Sequence, residues 1–550
     1  MPPAPGLWVQ AYAPIFGSVP LSAAAAAAPL VVIAFCLAVL RMQAHKAALI
    51  ALAAALLIAA GAWGMPAKLA LLSAAQGAAF GLFPVFFIVL ATLFLFNVTV
   101  RGGQFGVIRQ SLAGVTDDRR IQALLIAFCF GAFIEGAAGF GAPVAIAGAT
   151  LVGLGFDAFY AAGLCLVANT APVAFGSIGI PIVTLAGVIG VGDAGLQKLS
   201  FIVGHQLPVV SLILPAYLVL IMAGPRRTAE VLPAVAVCGG AFAACQWYVS
   251  TRIGPYLPDI IASLAAMASL VVLLRFWRPA ATFRFPGEAP AQAVQERPAA
   301  GAVVRAWLPY LLLTLVVLLW GVPGIKNALS RTTLMIAVPG LDRAIATIAT
   351  GQPWPTPLPA LFKLDYLASA GSAVLVAALV SAAACGVGVR GAASALGRTL
   401  VDMRYPALTM AGVLALAYVM NNSGMTTCLG LFATRAGRLF PFIAPILGWI
   451  GVFLTGSDTS SNVLFGGLQK TAGEQLGINP LLTAASNTTG GVMGKMISPQ
   501  SLAVACAATN TVGNEGSLLR FTLRHSVALL LIVCVISYLQ AYALAATLPR

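Results

Sequence analysis

The chain has 550 residues, of which 60% are hydrophobic and only 8% charged, and its mean hydropathy is +0.97; a soluble domain carries charge on about a quarter of its residues. This composition excludes a soluble enzyme or binding module and identifies an all-α polytopic membrane protein. The net charge of +15 does not point to nucleic acid, because the basic residues are spread through short loops between apolar runs, where they act as topology signals facing lipid headgroups.

A helix needs about 20 apolar residues to cross the hydrocarbon core. No basic residue precedes Arg41, so the first run, near 20 to 40, lacks the charged lead of a cleaved signal peptide and is expected to stay as a span. Further runs follow near 47 to 64 and 68 to 100. Residues 121 to 134 and 144 to 155 are each too short to cross alone. Joined by the Gly-rich turn at 135 to 143, they are expected to form a re-entrant hairpin over 121 to 155. The stretch 158 to 191 is long enough to span but is interrupted by Asn169, Thr170 and Pro181. Spans near 204 to 223, 229 to 249 and 255 to 275 complete an N-terminal half, residues 1 to 278. A Pro/Ala-rich stretch, 279 to 304, reads as a linker to the C-terminal half, 305 to 550.

The second half has spans near 305 to 322 and 366 to 386, separated by an exposed insertion at 324 to 363. The run 405 to 437 is interrupted by Asn421-Asn422-Ser423-Gly424. Residues 440 to 476 repeat the hairpin form around a turn at 456 to 462. A second broken helix follows at 480 to 511, interrupted by Asn487, Thr488 and Pro499, and a last span lies near 523 to 545. The total is about 12 transmembrane helices plus two re-entrant hairpins. The Lys and Arg distribution favours an N-terminus outside the cell. The first hairpin then opens to the cytoplasm and the second to the exterior, which makes the halves an inverted repeat.

The two breaks match each other. Pro181 stands twelve residues after Asn169, and Pro499 twelve after Asn487. Unwound backbone in lipid leaves polar groups unpaired at several kcal/mol apiece, so it persists only where protein, water or a ligand satisfies it. Asn169, Thr170 and Ser177 supply amide and hydroxyl groups at the first break; Asn487, Thr488 and Thr489 do so at the second. Exposed half-helix N-termini favour a carboxylate.

Three ionisable residues fall within these elements, and charge at membrane depth marks a functional candidate. Glu135 sits in an apolar tip, where burial favours the neutral carboxyl that a proton carrier needs. Asp458 lies among the hydroxyls of Ser457, Thr459, Ser460 and Ser461, which serve either as substrate contacts or as its structural satisfaction. Lys495 stands eight residues after Asn487, where the first repeat has Ser177. A single cation suits a small monoanion better than a dicarboxylate. His205, at the start of a span, reads as structural. No nucleotide loop, metal-binding or catalytic motif is visible, so neither a cofactor nor a metal is expected. The nine cysteines read as small packing residues.

The run from Gly131 to Pro181, and the run from Asn421 to Asn514 with NNSGMTTCLG, LTGSDTSSNVLFGGLQ, SNTTGGVMGKMISPQS and CAATNTVGNEG, resemble the lactate permease family. The resemblance implies a multi-pass carrier of the bacterial inner membrane that moves L-lactate, D-lactate and glycolate together with protons. The hairpin and Asn-Thr pattern is also similar to that of sodium-coupled symporters of the wider ion transporter superfamily, in which a transport domain moves against a scaffold. Those carry a Ser-Asn-Thr motif, and this chain reads Ala168-Asn169-Thr170 in the first half. A sodium-coupled carboxylate carrier is therefore the alternative, with proton coupling through Glu135, and through Asp458 with it, preferred.

Overall fold

The structure, a computed structural model, describes residues 7–40, 42–139, 141–285, 298–347 and 355–549. Arg41 and residues 286–297 of the expected linker thus lie outside the described residues. The first two runs form α1 (Val19–Ala38) and α2 (Ala44–Gly61). The third is bent: α3 (Ala67–Phe80) and α4 (Phe87–Arg101) meet through Gly81–Phe86, where Phe83 leaves helical dihedrals and Pro84 supplies no N–H. A short α5 (Gln104–Ala113) follows, which apolar runs alone do not reveal.

The first hairpin has an unequal pair of arms. α6 (Arg119–Ala123) continues through a π-helical stretch, Leu124–Phe130, into α7 (Gly131–Ala137), and all of these residues are buried. The chain returns as α8 (Ala142–Gly153). Next come α9 (Ala158–Ala168) and α10 (Gly176–Val188), whose axes bend by 65° across the Asn169 break. The run expected at 204 to 223 is much longer, because α11 (Asp193–Ala229) has 37 residues. It is kinked at Gly224 (φ 79°, ψ 172°), ahead of Pro225, and the part before the kink reaches about 46 Å at 1.5 Å per residue, still beyond the hydrocarbon core. α12 (Leu232–Arg252) and α13 (Pro258–Phe276) close the half.

In the second half, α14 (Ala300–Gly321) and α15 (Pro323–Ser330) precede the insertion. The insertion contains strands as well as loop. β1 (Trp8–Val9) pairs in parallel with β3 (Ile345–Thr347), and β2 (Leu334–Ala337) pairs antiparallel with β5 (Leu361–Leu364). β4 (Thr356–Pro357) adds to β3. The rest is helical: α16 (Ala370–Ala384), α17 (Val389–Asp402), α18 (Arg404–Ser423) and α19 (Met425–Ala433). Gly424, at φ 90°, separates the last two. The second hairpin is α20 (Phe440–Thr455) and α21 (Asp458–Leu476), and the second broken helix is α22 (Pro480–Gly494) and α23 (Pro499–Ala508); Asn487, Thr488 and Thr489, expected at the break, instead lie within α22, which unwinds only at Lys495–Ser498, before Pro499. α24 (Glu515–Tyr542) ends the bundle.

Among the described residues, ten helices are long and apolar enough to cross a membrane, or up to twelve if each bent pair is one span. Their packing is reciprocal. α8 of the first hairpin lies on α23 of the second broken helix, and α21 of the second hairpin lies on α10 of the first. Likewise α11 packs on α22 and α24 on α9. A separate group forms around α18, which packs on α2 and α3, while α16 packs on α4 and α14.

A buried arginine anchors the foot of the first hairpin. Arg120 donates to Asp118 Oδ2 at 2.7 Å, to Glu230 Oε2 at 2.7 Å and to the carbonyls of Arg227 and Ala281, both at 2.8 Å. It thereby ties α6 to the end of α11 and to the chain after α13. A buried guanidinium persists only when its donors are matched in this way.

Candidate functional site

The turns of the two hairpins and the two helix breaks meet at a cavity of about 410 Å³. On one side it is lined by Glu135, Ser177, Ser457, Asp458, Thr459, Ser460 and Lys495; on the other by His45 of α2 and Tyr405, Thr409 and Met410 of α18. The cavity thus lies between the hairpin and broken-helix group and the α2–α18 group. Lys495 is the one Lys or Arg among its described lining residues.

Glu135 occupies the last turn of α7 and is 3% exposed. Its Oε2 meets no hydrogen-bond partner, and neither do the two polar atoms of the Asn169 amide beside it. The first break holds this acid tightly. A Cβ at Gly176 would stand 2.7 Å from Glu135 Oε1 and 3.1 Å from its Cγ. The next residues, Ser177, Ile178 and Gly179, have φ of 46°, 59° and 74°. The left-handed region costs a β-branched residue such as Ile of order 1–3 kcal/mol, which surrounding contacts must hold in place. One such contact is Ser177 Oγ donating to the Ala138 carbonyl at 3.0 Å, which joins the broken helix to the hairpin turn.

Asp458 opens α21 and is 2% exposed. The hydroxyls around it do not satisfy it, since neither of its carboxyl oxygens has a partner among the described residues. Ser457 instead caps the helix by accepting from Ser460 N at 3.2 Å, and Thr455 Oγ1 donates to Gly451 O at 2.8 Å. Gly491 of α22 lies against Asp458 Oδ1, so the second broken helix contacts its acid through a glycine, as the first does. Lys495 follows α22 in a single 3₁₀ turn, half-buried, with its charge reaching both Glu135 and Asp458. No ion pair joins it to either acid among the described residues.

The four Asn-Thr residues are not on the cavity wall. Thr170 Oγ1 donates to the Val167 carbonyl at 2.7 Å. Asn487 Nδ2 donates to Asn462 Oδ1 at 3.0 Å, and Thr488 Oγ1 donates to the same atom at 2.8 Å. Asn462 Nδ2 in turn donates to the Pro181 carbonyl at 3.1 Å, and Gln469 Nε2 reaches Asn487 Oδ1 at 3.3 Å. The second Asn-Thr pair thus works as an internal clamp linking the second hairpin to both broken helices. By contrast, Ser177 and Lys495, eight residues after their respective Asn, both line the cavity.

Other polar groups are structural in their contacts. His205 Nδ1 lies 2.8 Å from the Phe201 carbonyl, and Trp247 Nε1 donates to His205 Nε2 at 3.2 Å. Asn421 Nδ2 donates to Val188 O at 3.2 Å, and Asn422 Nδ2 to Ser73 Oγ at 3.0 Å. His45 stacks on Tyr405 with ring centroids 4.7 Å apart. Sequence reading did not single out His45, Tyr405, Asn462 or Gln469. Of these, only Asn462 carried a signal, as the amide that closes the 456 to 462 turn. Among the described residues no group of His, Cys, Asp or Glu could hold a metal ion, and the nine cysteines are free.

A model of the family described as L-lactate permease matches residues 22–544. An L-lactate permease of Bacillus subtilis (strain 168) is 46% identical, over 98% of this chain and 100% of the relative. A glycolate permease of Escherichia coli (strain K12) is 44% identical, over 97% of this chain and 98% of the relative. An L-lactate permease of the same strain is 45% identical, over 99% and 100%.

Proposed function

Because the chain belongs to the L-lactate permease family, we propose that it carries lactate and glycolate across the bacterial inner membrane as a proton-linked symporter, with the anion bound between the two hairpin turns. The observation that supports this site most directly is one ammonium, Lys495, on the wall of a cavity of about 410 Å³ together with two buried acids, of which Glu135 Oε2 and both Asp458 oxygens lack a hydrogen-bond partner. The substrate carboxylate meets Lys495. The 2-hydroxyl is within the reach of Ser177, Ser457, Thr459 or Ser460, and Glu135 takes up the proton, with Asp458 as its coupled partner. Asn169 supports the site from beside Glu135, while Thr170, Asn487 and Thr488 hold the breaks in shape.

The reciprocal packing of hairpins and broken helices supports two structural halves, 1–278 and 305–550, related by an axis in the membrane plane. The cavity lies between that set and α2 and α18, which suits a transport domain moving against a scaffold. By the Lys and Arg distribution, Gln43, His45 and Tyr405 stand at cytoplasmic helix ends, so the cavity reaches towards the cytoplasm.

The test is uptake of labelled lactate and glycolate into proteoliposomes holding only this protein, at two external pH values and with external sodium replaced by choline. Uptake that rises at acidic external pH and is unchanged in choline is expected; sodium dependence or a flat pH response would overturn the proton-linked reading. The glycine contact makes a second prediction. Forcing Glu135 off a Cβ at Gly176 costs about 1–3 kcal/mol, so Gly176→Ala should slow initial lactate uptake on the order of tenfold at equal membrane abundance. Gly240→Ala, with open space around the new methyl, should leave the rate unaltered. Equal rates for the two variants would mean that Glu135 does not need its position.

A further inference from the structure

Asp259 lies behind the first hairpin, away from the cavity lining. It sits in the first turn of α13 and is 1% exposed, and neither of its carboxyl oxygens has a hydrogen-bond partner. The Gln246 amide beside it donates to the Ala171 carbonyl instead, at 3.1 Å. Such a group costs several kcal/mol to bury if ionised and unmatched, so packing alone gives no reason to keep an acid there.

Its surroundings single out one other titratable group. α13 packs on α7, α12 and the Leu124–Phe130 stretch. A Cβ on Gly136 of α7 would come 2.9 Å from Asp259 Cβ, so the residue next to Glu135 is in contact with Asp259. Glu135, the residue before Gly136 on α7, is the other carboxyl beside that contact. From the other two elements, Gln246 is neutral, and the Cys129 and Cys238 thiols lie 3.5 Å from each other.

We propose that Asp259 is the second proton-holding carboxyl of the carrier, taking the proton that Glu135 collects in the cavity. The inference rests on the proton-linked reading of that site. The step conserves charge: the Glu135 O–H bond breaks, an Asp259 O–H bond forms, and the negative charge moves from Asp259 to Glu135. No hydrogen bond joins the two carboxyls in this structure, so the transfer requires side-chain rotation across the Gly136 contact. Glu135 is left ionised, facing Lys495, and ready for the next proton. Asp259 is a positioning residue for the proton and does not touch the transported anion.

The experiment uses the full chain in proteoliposomes with an internal pH dye, in wild type, Asp259→Asn and Asp259→Glu. Two quantities are read: lactate-linked proton entry under a pH gradient, and exchange of labelled for unlabelled lactate at equal pH. Exchange needs no proton release, because the loaded carrier returns loaded. The Asn variant should lose proton-linked net uptake on the order of tenfold or more while exchange continues, and the Glu variant should regain net uptake. Unaltered net uptake in Asp259→Asn, or exchange falling in step with uptake, would overturn the inference. If wild-type uptake itself ignored the pH gradient, the proton-linked reading beneath it would fall instead.

Discussion

Glu135→Gln is expected to abolish accumulation of lactate while leaving lactate exchange in place. The substitution keeps the size of the side chain, so the contact with Gly176 and the turn at Ala138 are undisturbed. What it removes is the ability to release a proton. In a one-to-one symport each unit of pH gradient is equivalent to about 1.4 kcal/mol, or tenfold accumulation of the anion. Without a titrating group that driving force no longer reaches the substrate, and the internal to external ratio should fall towards equality. A carrier fixed in the neutral form still shuttles when loaded on both sides, so counterflow separates this outcome from misfolding. Accumulation that still follows the pH gradient in the Gln variant would remove Glu135 from the proton role.

Lys495→Ala should have the next largest effect, on substrate affinity. Lys495 is the one Lys or Arg among the cavity's described lining residues and stands opposite two acids. Once it is gone, no Lys or Arg remains among the described lining residues to meet an entering carboxylate, while two acids do. A hydrogen bond to a charged group contributes about 1.5–3 kcal/mol, so the half-saturation concentration for lactate should rise roughly ten- to hundredfold. Lys495→Arg keeps the charge and should recover part of the loss. Initial-rate measurements over a wide lactate range will decide it; an unaltered half-saturation concentration in the Ala variant would mean that the anion is held elsewhere.

Much of the candidate site was legible in the chain because intramembrane acids and unwound segments are anomalous wherever they occur. Glu135, Asp458, Lys495 and Ser177 stood out on that ground, and all four line one cavity. The Asn-Thr pairs stood out equally, yet they face inward. Asn487 and Thr488 bond to Asn462, which is 25 or 26 positions away, and periodicity within one segment does not reveal such a choice. Asp259 passed unnoticed because an acid at the edge of an apolar run looks like a loop residue until the fold buries it. His45 stands just before its apolar run, and Tyr405 lies sixteen residues before the interruption at Asn421, so neither carries a local signal. They reach the cavity only because α2 and α18 pack side by side.

The sequence by itself determined the class of protein, the positions of most spans, the two hairpin turns and the first break, whereas the second break falls at Lys495–Ser498 and not at Asn487 and Thr488. The physical reason is that lipid acts on each segment separately, since a run either is apolar enough to cross or is not, and unpaired backbone or charge is penalised where it stands. Only the tertiary structure decided which polar groups point into the cavity and which clamp the helices. It also decided that α11 starts well before its expected span and kinks at Gly224, that the insertion folds into strands, and that a third acid lies against the first hairpin. Those outcomes depend on hydrogen-bond partners and close packing between residues far apart in the chain, as where Gly136 meets Asp259 and Asn462 meets Pro181.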